Sequence, residues 1–223
     1  MDVSYCHAVT DDEIKGLCSD EYVETTTKRM GQCKLLHTIK MKGTNVTKLG
    51  VEVALQNLPE LRTFEFPHSV RILAELRREN LERGDFKTYP FTEFDCTIIV
   101  DHFGNQPVIV PYKSGSLRLA ANICSNVDVV HIRRHIGLTD VDLQGLLELK
   151  TLRGLVIPPD YPRGGQITFD RGIIPLLKAF GSFLRQLELY GLKTCVNIRS
   201  IAAHCTYLEI LKLSDNSRYS MAS

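Results

Sequence analysis

The sequence lacks a charge excess, long apolar runs and a leader, and each absence excludes a class of protein. Its 27 basic side chains are nearly balanced by 26 acidic ones, for a formal net charge of +1. A chain so close to neutrality has no long-range field that would gather nucleic acid or an anionic membrane surface. No apolar stretch reaches the roughly 18 residues of a membrane-spanning helix, and residues 1–10 lack the parts of a signal peptide. We therefore expect a cytoplasmic or nuclear protein that binds neither nucleic acid nor membrane.

Paired cysteines are also missing. The seven cysteines are scattered along the chain, and none stands in a Cys-x-x-Cys pair. In a reducing compartment, such a set predicts small buried side chains rather than disulfides. His204-Cys205 and Cys6-His7 have no partners at the spacing that zinc ligands need. We expect no metal site and no cofactor.

Catalytic motifs are absent from the sequence as well. It contains no phosphate-binding Gly-x-x-x-x-Gly-Lys, no His-Glu-x-x-His and no Gly-x-Ser-x-Gly. The stretch Lys113-Ser114-Gly115-Ser116 lacks the spacing of a phosphate cradle and favours an ordinary loop. We predict that the protein is not an enzyme. One alternative stays open, a site within residues 67–116 that would use Asp95, Asp101 and His102.

What the sequence does contain is a repeat, in which three apolar residues follow the pattern apolar-x-x-apolar-x-apolar. Its six copies are Leu36-Ile39-Met41, Leu61-Phe64-Phe66, Val127-Val130-Ile132, Leu152-Leu155-Ile157, Leu184-Leu187-Leu189 and Leu208-Leu211-Leu213. Neighbouring copies lie 24 to 32 residues apart, except across one wider gap, where Phe94–Val100 is the candidate for a degenerate copy. Spacings of roughly 20–29 residues are typical of leucine-rich repeats.

Two further sequence features recur alongside these predicted strands, one before them and one after them. The position three residues before each copy reads Cys33, Leu58, Cys124, Leu149, Gly181 and Cys205, which predicts a small buried residue at the end of a helix. An aliphatic residue and a threonine recur as Val9-Thr10, Val46-Thr47, Leu138-Thr139 and Ile167-Thr168. Threonine caps helix N-termini, and Thr10 with Glu13 matches a capping box. The predicted unit is therefore a strand, a turn and a capped helix.

A lone strand and helix cannot bury their shared apolar face, so such units are stable only when stacked. We predict an α/β leucine-rich-repeat solenoid of about seven to eight repeats, with parallel strands on the concave face and helices on the convex face. Residues 1–223 would form one domain, with insertions near 67–93, where Ser69 to Arg83 has the pattern of a charged helix, and near 158–166. Both ends look unfinished, because a strand motif begins at Met1 and only ten residues follow Leu213. We expect a fragment of a longer protein.

The repeats resemble the cysteine-containing leucine-rich repeats of F-box/LRR proteins in ubiquitin ligases. The opening, Met1 to Asp11 with its Val9-Thr10-Asp11 helix start, and the helix Ile198 to Cys205 that ends in cysteine carry the resemblance. It implies a protein-interaction module, the substrate-recognition part of an SCF-type E3 ubiquitin ligase. No F-box is evident, so ligase subunits would be reached through a missing segment. The alternative is a scaffold or adaptor with no link to ubiquitin ligation.

The candidate binding residues are those that flank the middle anchor of each strand and point away from the core. They are Thr38, Lys40, Thr63, Glu65, Val129, His131, Arg133, Val156, Gln186, Glu188, Tyr190 and Lys212. This surface carries acidic, basic and apolar side chains together, which favours a protein partner on the concave face over a polyanion. Tyr190 and Arg133 are of the residue types that anchor interfaces. The alternative, that these side chains merely solvate the sheet, stays open.

Overall fold

A computed structural model describes residues 1–18, 33–66, 68–95, 100–103, 106–109, 112–133, 137–158 and 166–214. This part of the chain is a mixed α/β structure with parallel strands. Its strands are β1 Thr38–Lys40, β2 Thr63–Glu65, β3 Glu93–Asp95, β4 Val100–Phe103, β5 Gln106–Ile109, β6 Val129–His131, β7 Gly154–Ile157, β8 Gln186–Tyr190 and β9 Ile210–Ser214. Its α-helices are α1 Asp11–Cys18, α2 Lys48–Asn57, α3 Ser69–Glu82, α4 Ser116–Ile123, α5 Asp140–Leu143, α6 Ile174–Phe180 and α7 Ile198–His204.

Two irregular helical segments complete the set of elements. Helix α5 continues as the 3-10 helix Gln144–Glu148, and a π-helical turn, Phe169–Ile173, leads into α6. Within the described ranges, no helix combines the length and the apolar character needed to cross a bilayer. The chain divides into two compact units, the first made of Met1–Pro67 with Tyr89–Phe91 and the second of His68–Thr88 with Thr92–Ser223. The single domain expected from the sequence stays a prediction.

In the first unit, β1 and β2 pair in parallel and α1 packs against α2. The middle anchors Ile39 and Phe64 face each other in this register and are almost wholly buried. The strand expected at the amino terminus is reduced to one parallel bridge between Asp2 and Lys40. Four aromatic side chains close this core, with ring centroids of neighbours 5.7 to 6.0 Å apart: Phe64, Phe66, Tyr89 and Phe91.

In the second unit, five parallel strands lie in the order β3-β6-β7-β8-β9. Parallel neighbours need a long crossover, and each crossover from β6 to β9 contains a helix. Val130, Leu155 and Leu187 stand at matched positions and are at most 1% exposed. These are the middle anchors that the repeat pattern predicts, so the predicted strands and their burial are confirmed in β6, β7 and β8.

The segment Phe94–Val100, expected to hold a degenerate copy, overlaps the strand β3 at Glu93–Asp95. Phe94 stands opposite Val130 in the parallel ladder with β6. Residues 96–99 lie outside the described residues, and Val100 begins β4, which pairs antiparallel with β5. Phe91 and Phe94 hold the first two positions of the apolar pattern, and Cys96 stands at the third, so the pattern of this copy is incomplete.

The charged helix predicted from Ser69 is confirmed as α3. It lies between β2 and β3 in the chain and packs extensively against α4. Segment 67–93, expected as an insertion, therefore supplies the helix of an ordinary strand–helix connection. The extra element is the β4–β5 hairpin, which comes between β3 and α4. Residues 159–165 of the second expected insertion lie outside the described residues.

The four predicted threonine caps are confirmed. Backbone N–H groups two or three residues ahead donate to the hydroxyls of Thr10, Thr47, Thr139 and Thr168. Glu13 forms one half of the expected capping box by accepting the backbone N–H of Thr10 at 2.8 Å, whereas the Thr10 hydroxyl accepts from Asp12. Each cap satisfies donors that the first helical turn leaves unpaired.

The predicted helix-end position is confirmed for most copies and wrong for one. Leu58, Cys124, Gly181 and Cys205 each follow the last residue of a helix, and both cysteines are buried. Burial raises the pKa of the Cys124 thiol well above its ordinary value. Cys33 is exposed, against the predicted burial, and residues 19–32 before it lie outside the described residues. Cys6 and Cys195 are also exposed, so burial holds for only part of the cysteine set.

Candidate functional site

The strands of the second unit place the predicted side chains in two rows, because the parallel strands are in register. The row before the middle anchors contains Glu93, Val129, Gly154, Gln186 and Ile210. The row after them contains Asp95, His131, Val156, Glu188 and Lys212. We call these two rows the strand face. Six of the predicted residues lie on it, brought together from four strands.

The predicted residues of the first unit form a smaller patch. Thr38 stands opposite Thr63, and Lys40 stands opposite Glu65. Lys40 Nζ lies 3.2 Å from a Glu65 carboxylate oxygen, and both side chains are partly exposed. This patch repeats the strand-face arrangement on two strands.

One end of the strand face is organised around Glu188. Gln186 Nε2 donates to Glu188 Oε1 at 2.7 Å, and Lys212 Nζ donates to the same oxygen at 3.0 Å. The Lys212 hydrogen bond is the main cause of a lowered Glu188 pKa, and it prevails over desolvation, which acts the other way. The same contact raises the pKa of Lys212. Glu188 is therefore an ionised carboxylate, 12% exposed, held in one orientation by two donors.

A second polar pair lies across β3 and β6. His131 Nε2 is 3.4 Å from Glu93 Oε1, and the His131 side chain is 21% exposed. The contact joins neighbouring strands and sets a carboxylate beside an imidazole ring on the strand face.

Between the two polar clusters lies an apolar centre. Gly154 and Val156 are buried, and Val129 is half-buried. A Cβ atom added to Gly154 would lie 3.1 Å from Val129 Cγ1, so glycine at position 154 leaves room for the Val129 side chain. The centre is therefore apolar and is bordered by polar side chains on both sides.

The two predicted anchor residues lie beside the rows. Tyr190 is the half-buried last residue of β8, opposite Ser214, and Arg133 is exposed two residues beyond β6. The remainder of the basic cluster, Arg134 and His135, lies outside the described residues.

In the described part of the chain, the residues considered for a metal site or a phosphate cradle are not arranged to bind either group. No three His, Cys, Asp or Glu side chains there are placed to hold a metal ion. The Ser114 hydroxyl and the Gly115 N–H both donate to the Asp142 carboxylate, at 2.7 and 3.0 Å, so this turn already holds an anionic group. The backbones of Asp101 and His102 lie in the β4–β5 hairpin, whereas Asp95 lies in β3.

Glu93 is the residue that the sequence search missed. It enters the strand face because β3 begins at Glu93. The signal that could have found it is the aromatic pair Phe91 and Phe94, which reproduces the spacing of the first two anchors.

No protein-family model matches the chain, and no curated protein has a matching sequence. The function is therefore argued from the geometry of the strand face.

Proposed function

We propose that the chain is a leucine-rich-repeat module, a solenoid of about seven to eight repeats, that binds another protein through its strand face. The observation that carries this proposal is the register of the face, which sets an apolar centre between two polar clusters. The parallel strand–helix units and the threonine caps support the repeat assignment.

A surface of this kind suits a folded or extended protein partner. Interfaces have an apolar centre and a polar rim, and binding costs less when the polar side chains are already ordered. Glu188 and His131 both have partners within 3.5 Å before any ligand arrives. Because Glu188 and Lys212 of the second row carry opposite charges, the face selects a partner by its local charge pattern rather than by a long-range field.

The resemblance to F-box/LRR proteins narrows the proposal to substrate recognition in an SCF-type ubiquitin ligase. In that role the strand face holds the substrate, and ligase subunits bind elsewhere. The alternative is an adaptor that joins two proteins without ubiquitin transfer. Both roles are non-enzymatic, and both place recognition on the same residues.

The test changes the charges that a partner meets at one pair. Glu93→Lys with His131→Glu reverses the charge at position 93, places a carboxylate at position 131 and keeps the two side chains complementary across β3 and β6. The matched control is Arg118→Glu with Glu148→Arg, which exchanges a 2.9 Å ion pair on the helices of the same unit. Circular dichroism first establishes that both variants are folded.

Proteins captured from a cell extract are then compared by quantitative mass spectrometry. We expect a set retained by the unchanged chain and the control to be lost from the Glu93/His131 variant. Ligase subunits or ubiquitinated proteins in that set favour the ligase role, and their absence favours the adaptor. Equal capture by all three chains would show that the strand face is not the recognition surface.

A further inference from the structure

Backbone hydrogen bonds set four charged residues side by side at the amino ends of β6 to β9. The N–H of Arg153 donates to the carbonyl of Asp128 at 2.6 Å, and the N–H of Arg185 donates to the carbonyl of Arg153 at 2.7 Å. The N–H of Glu209 donates in turn to the carbonyl of Arg185 at 2.8 Å. We call Asp128, Arg153, Arg185 and Glu209 the rim row. Its order places two arginines next to each other, with one carboxylate on each outer side.

The contacts of the two arginines to carboxylates lie on the outer sides of the pair. Arg153 Nε is 4.0 Å from an Asp128 oxygen, and Arg185 Nη1 is 3.0 Å from a Glu209 oxygen. Both arginine side chains are at least half exposed. A guanidinium group has five N–H donors, so a contact through one nitrogen leaves donors for a further acceptor. Like charges on neighbouring strands repel each other, and a carboxylate between the two arginines would relieve that repulsion.

Two exposed aromatic rings accompany the arginines. Phe183 and Tyr207 each stand directly before the first anchor of their copy, and they are 50% and 56% exposed. The Arg185 guanidinium lies 5.2 Å from the centre of the Tyr207 ring, at a distance typical of a cation–π contact. Aromatic residues and arginine supply most of the binding energy in many protein interfaces. The rim therefore combines two residue types that anchor a protein partner.

The exposure of Phe183 does not come from a position at the end of the sheet. Its strand, β8, pairs with β7 on one side and with β9 on the other, yet the ring stays half exposed. Residues 134–136, 159–165 and 215–223, which lie outside the described residues, follow the carboxyl ends of β6, β7 and β9. The rim lies at the amino ends of these strands. Exposure of this position is thus a property of a copy with neighbours on both sides.

We propose that the rim row, with Phe183 and Tyr207, binds a segment of a partner protein in which an acidic residue stands next to an aromatic one. The acidic side chain accepts hydrogen bonds from Arg153 and Arg185, and the neighbouring ring packs on Phe183. The outer carboxylates, Asp128 and Glu209, select against a polyanion, because a row of phosphates that reached past the arginines would meet them. The charge pattern of the rim therefore fits one compact anionic side chain.

This rim is distinct from the strand face, whose rows begin one residue later at the start of each strand. A chain with both surfaces presents two separate places for protein partners. One partner would lie across the strands, and the other would contact their amino ends.

The test measures the binding of three blocked fluorescent peptides by anisotropy. The first has the core Ser-Glu-Phe-Ser, the second replaces its glutamate by glutamine, and the third replaces its phenylalanine by alanine. We expect the second and third peptides to bind about fivefold more weakly than the first, because each lacks one of the two groups that the rim contacts. This comparison uses the unchanged chain, so it does not depend on the folding of any variant.

Variants of the chain then locate the site. Arg153→Gln with Arg185→Gln should abolish the preference for glutamate over glutamine and keep the preference for the ring. The matched control is Arg171→Gln with Lys178→Gln, which removes the same charge from exposed residues of the π-helical turn and α6. The control should bind all three peptides as the unchanged chain does.

Equal binding of the three peptides, or no binding of any, would overturn the proposal. A glutamate preference that survives in the arginine variant would also overturn it. So would displacement of the first peptide by inorganic phosphate as effective as that by its own unlabelled form, because the site would then select small anions alone. The proposed function is judged separately, since its test changes positions 93 and 131 on the strand face.

Discussion

Asp142 links two successive helices of the second unit through one carboxylate. It accepts hydrogen bonds from Ser114 and Gly115 at the start of α4, and from the backbone and hydroxyl of Thr139 at the start of α5. Burial acts to raise the pKa of Asp142, but these donors together outweigh burial and hold the pKa below its ordinary value. A single buried side chain therefore ties the N-termini of two helices together.

The depressed pKa of Asp142 makes a prediction about acid stability. A carboxylate whose pKa is lower in the folded state stabilises the fold above its unfolded pKa, and that stability is lost as the pH falls through the folded pKa. We expect Asp142→Asn to lower the free energy of unfolding most above about pH 4, and the difference from the unchanged chain to shrink on further acidification. Urea titrations from pH 3 to pH 7 measure this.

The control for that experiment is Asp170→Asn, which changes an exposed carboxylate of the π-helical turn. Its effect should be small, because the side chain is exposed. A difference between Asp142→Asn and the unchanged chain that stayed constant down to pH 3 would contradict the ionised, hydrogen-bonded carboxylate described here.

At the scale of elements, the short 3-10 helix Gln144–Glu148 packs unusually close to α4. A Cβ atom on Gly145 would lie 2.9 Å from Arg118 Cα and 2.7 Å from Arg118 N, and a backbone cannot move aside as a flexible side chain can. The glycine is thus needed for the approach of two elements.

Two alanine substitutions test this packing and should act in opposite directions. Gly145→Ala should destabilise the protein by about 1–3 kcal/mol, because overpacking forces the elements apart. Gly16→Ala in α1 has nothing within 4 Å of the new Cβ and should stabilise by about 0.5–1 kcal/mol, since alanine is the better helix former. Thermal unfolding of both variants measures the signs. A stabilised Gly145→Ala protein would mean that the space between α4 and the 3-10 helix accommodates an additional methyl group.

The helices and strands show which parts of the fold could be predicted from the sequence. The strands around Ile39, Leu155 and Leu187 were predictable because three spaced apolar anchors are a strong pattern, and the caps were predictable because threonine acts locally. The β4–β5 hairpin was not, since short runs of this length do not reveal whether their pairing is parallel or antiparallel. The predicted binding residues were placed in rows by the same periodicity, but Glu93 was missed because the apolar pattern of its copy is incomplete, with Cys96 at the third position.

At the scale of the whole molecule, burial falls steeply toward β9 within the second unit. All four residues of β7 are buried, β8 alternates between buried and half-buried residues, and β9 has none buried. Local stability follows the amount of covered apolar surface, so the strands should differ in how readily they open.

Hydrogen exchange should report this gradient directly. We expect the amides of β7 to exchange most slowly in the second unit and those of β9 to exchange fastest among its parallel strands, with β8 between them. Mass spectrometry of peptic fragments after timed labelling gives the order. Equal protection of β7 and β9 would show that β9 is covered in solution.

The aspartates that follow two of the cap threonines set the boundaries at which this chain can be cut and rejoined. Asp11 accepts the N–H and hydroxyl of Thr47 at 2.7 and 2.6 Å, and Asp140 accepts those of Thr168 at 2.7 Å each. Each of these two helix starts is therefore completed by a residue from the preceding copy. A chimaera cut between Asp11 and Thr47, or between Asp140 and Thr168, would separate acceptor from donor. Cuts outside those two ranges, as within α2 or α6, would preserve both contacts.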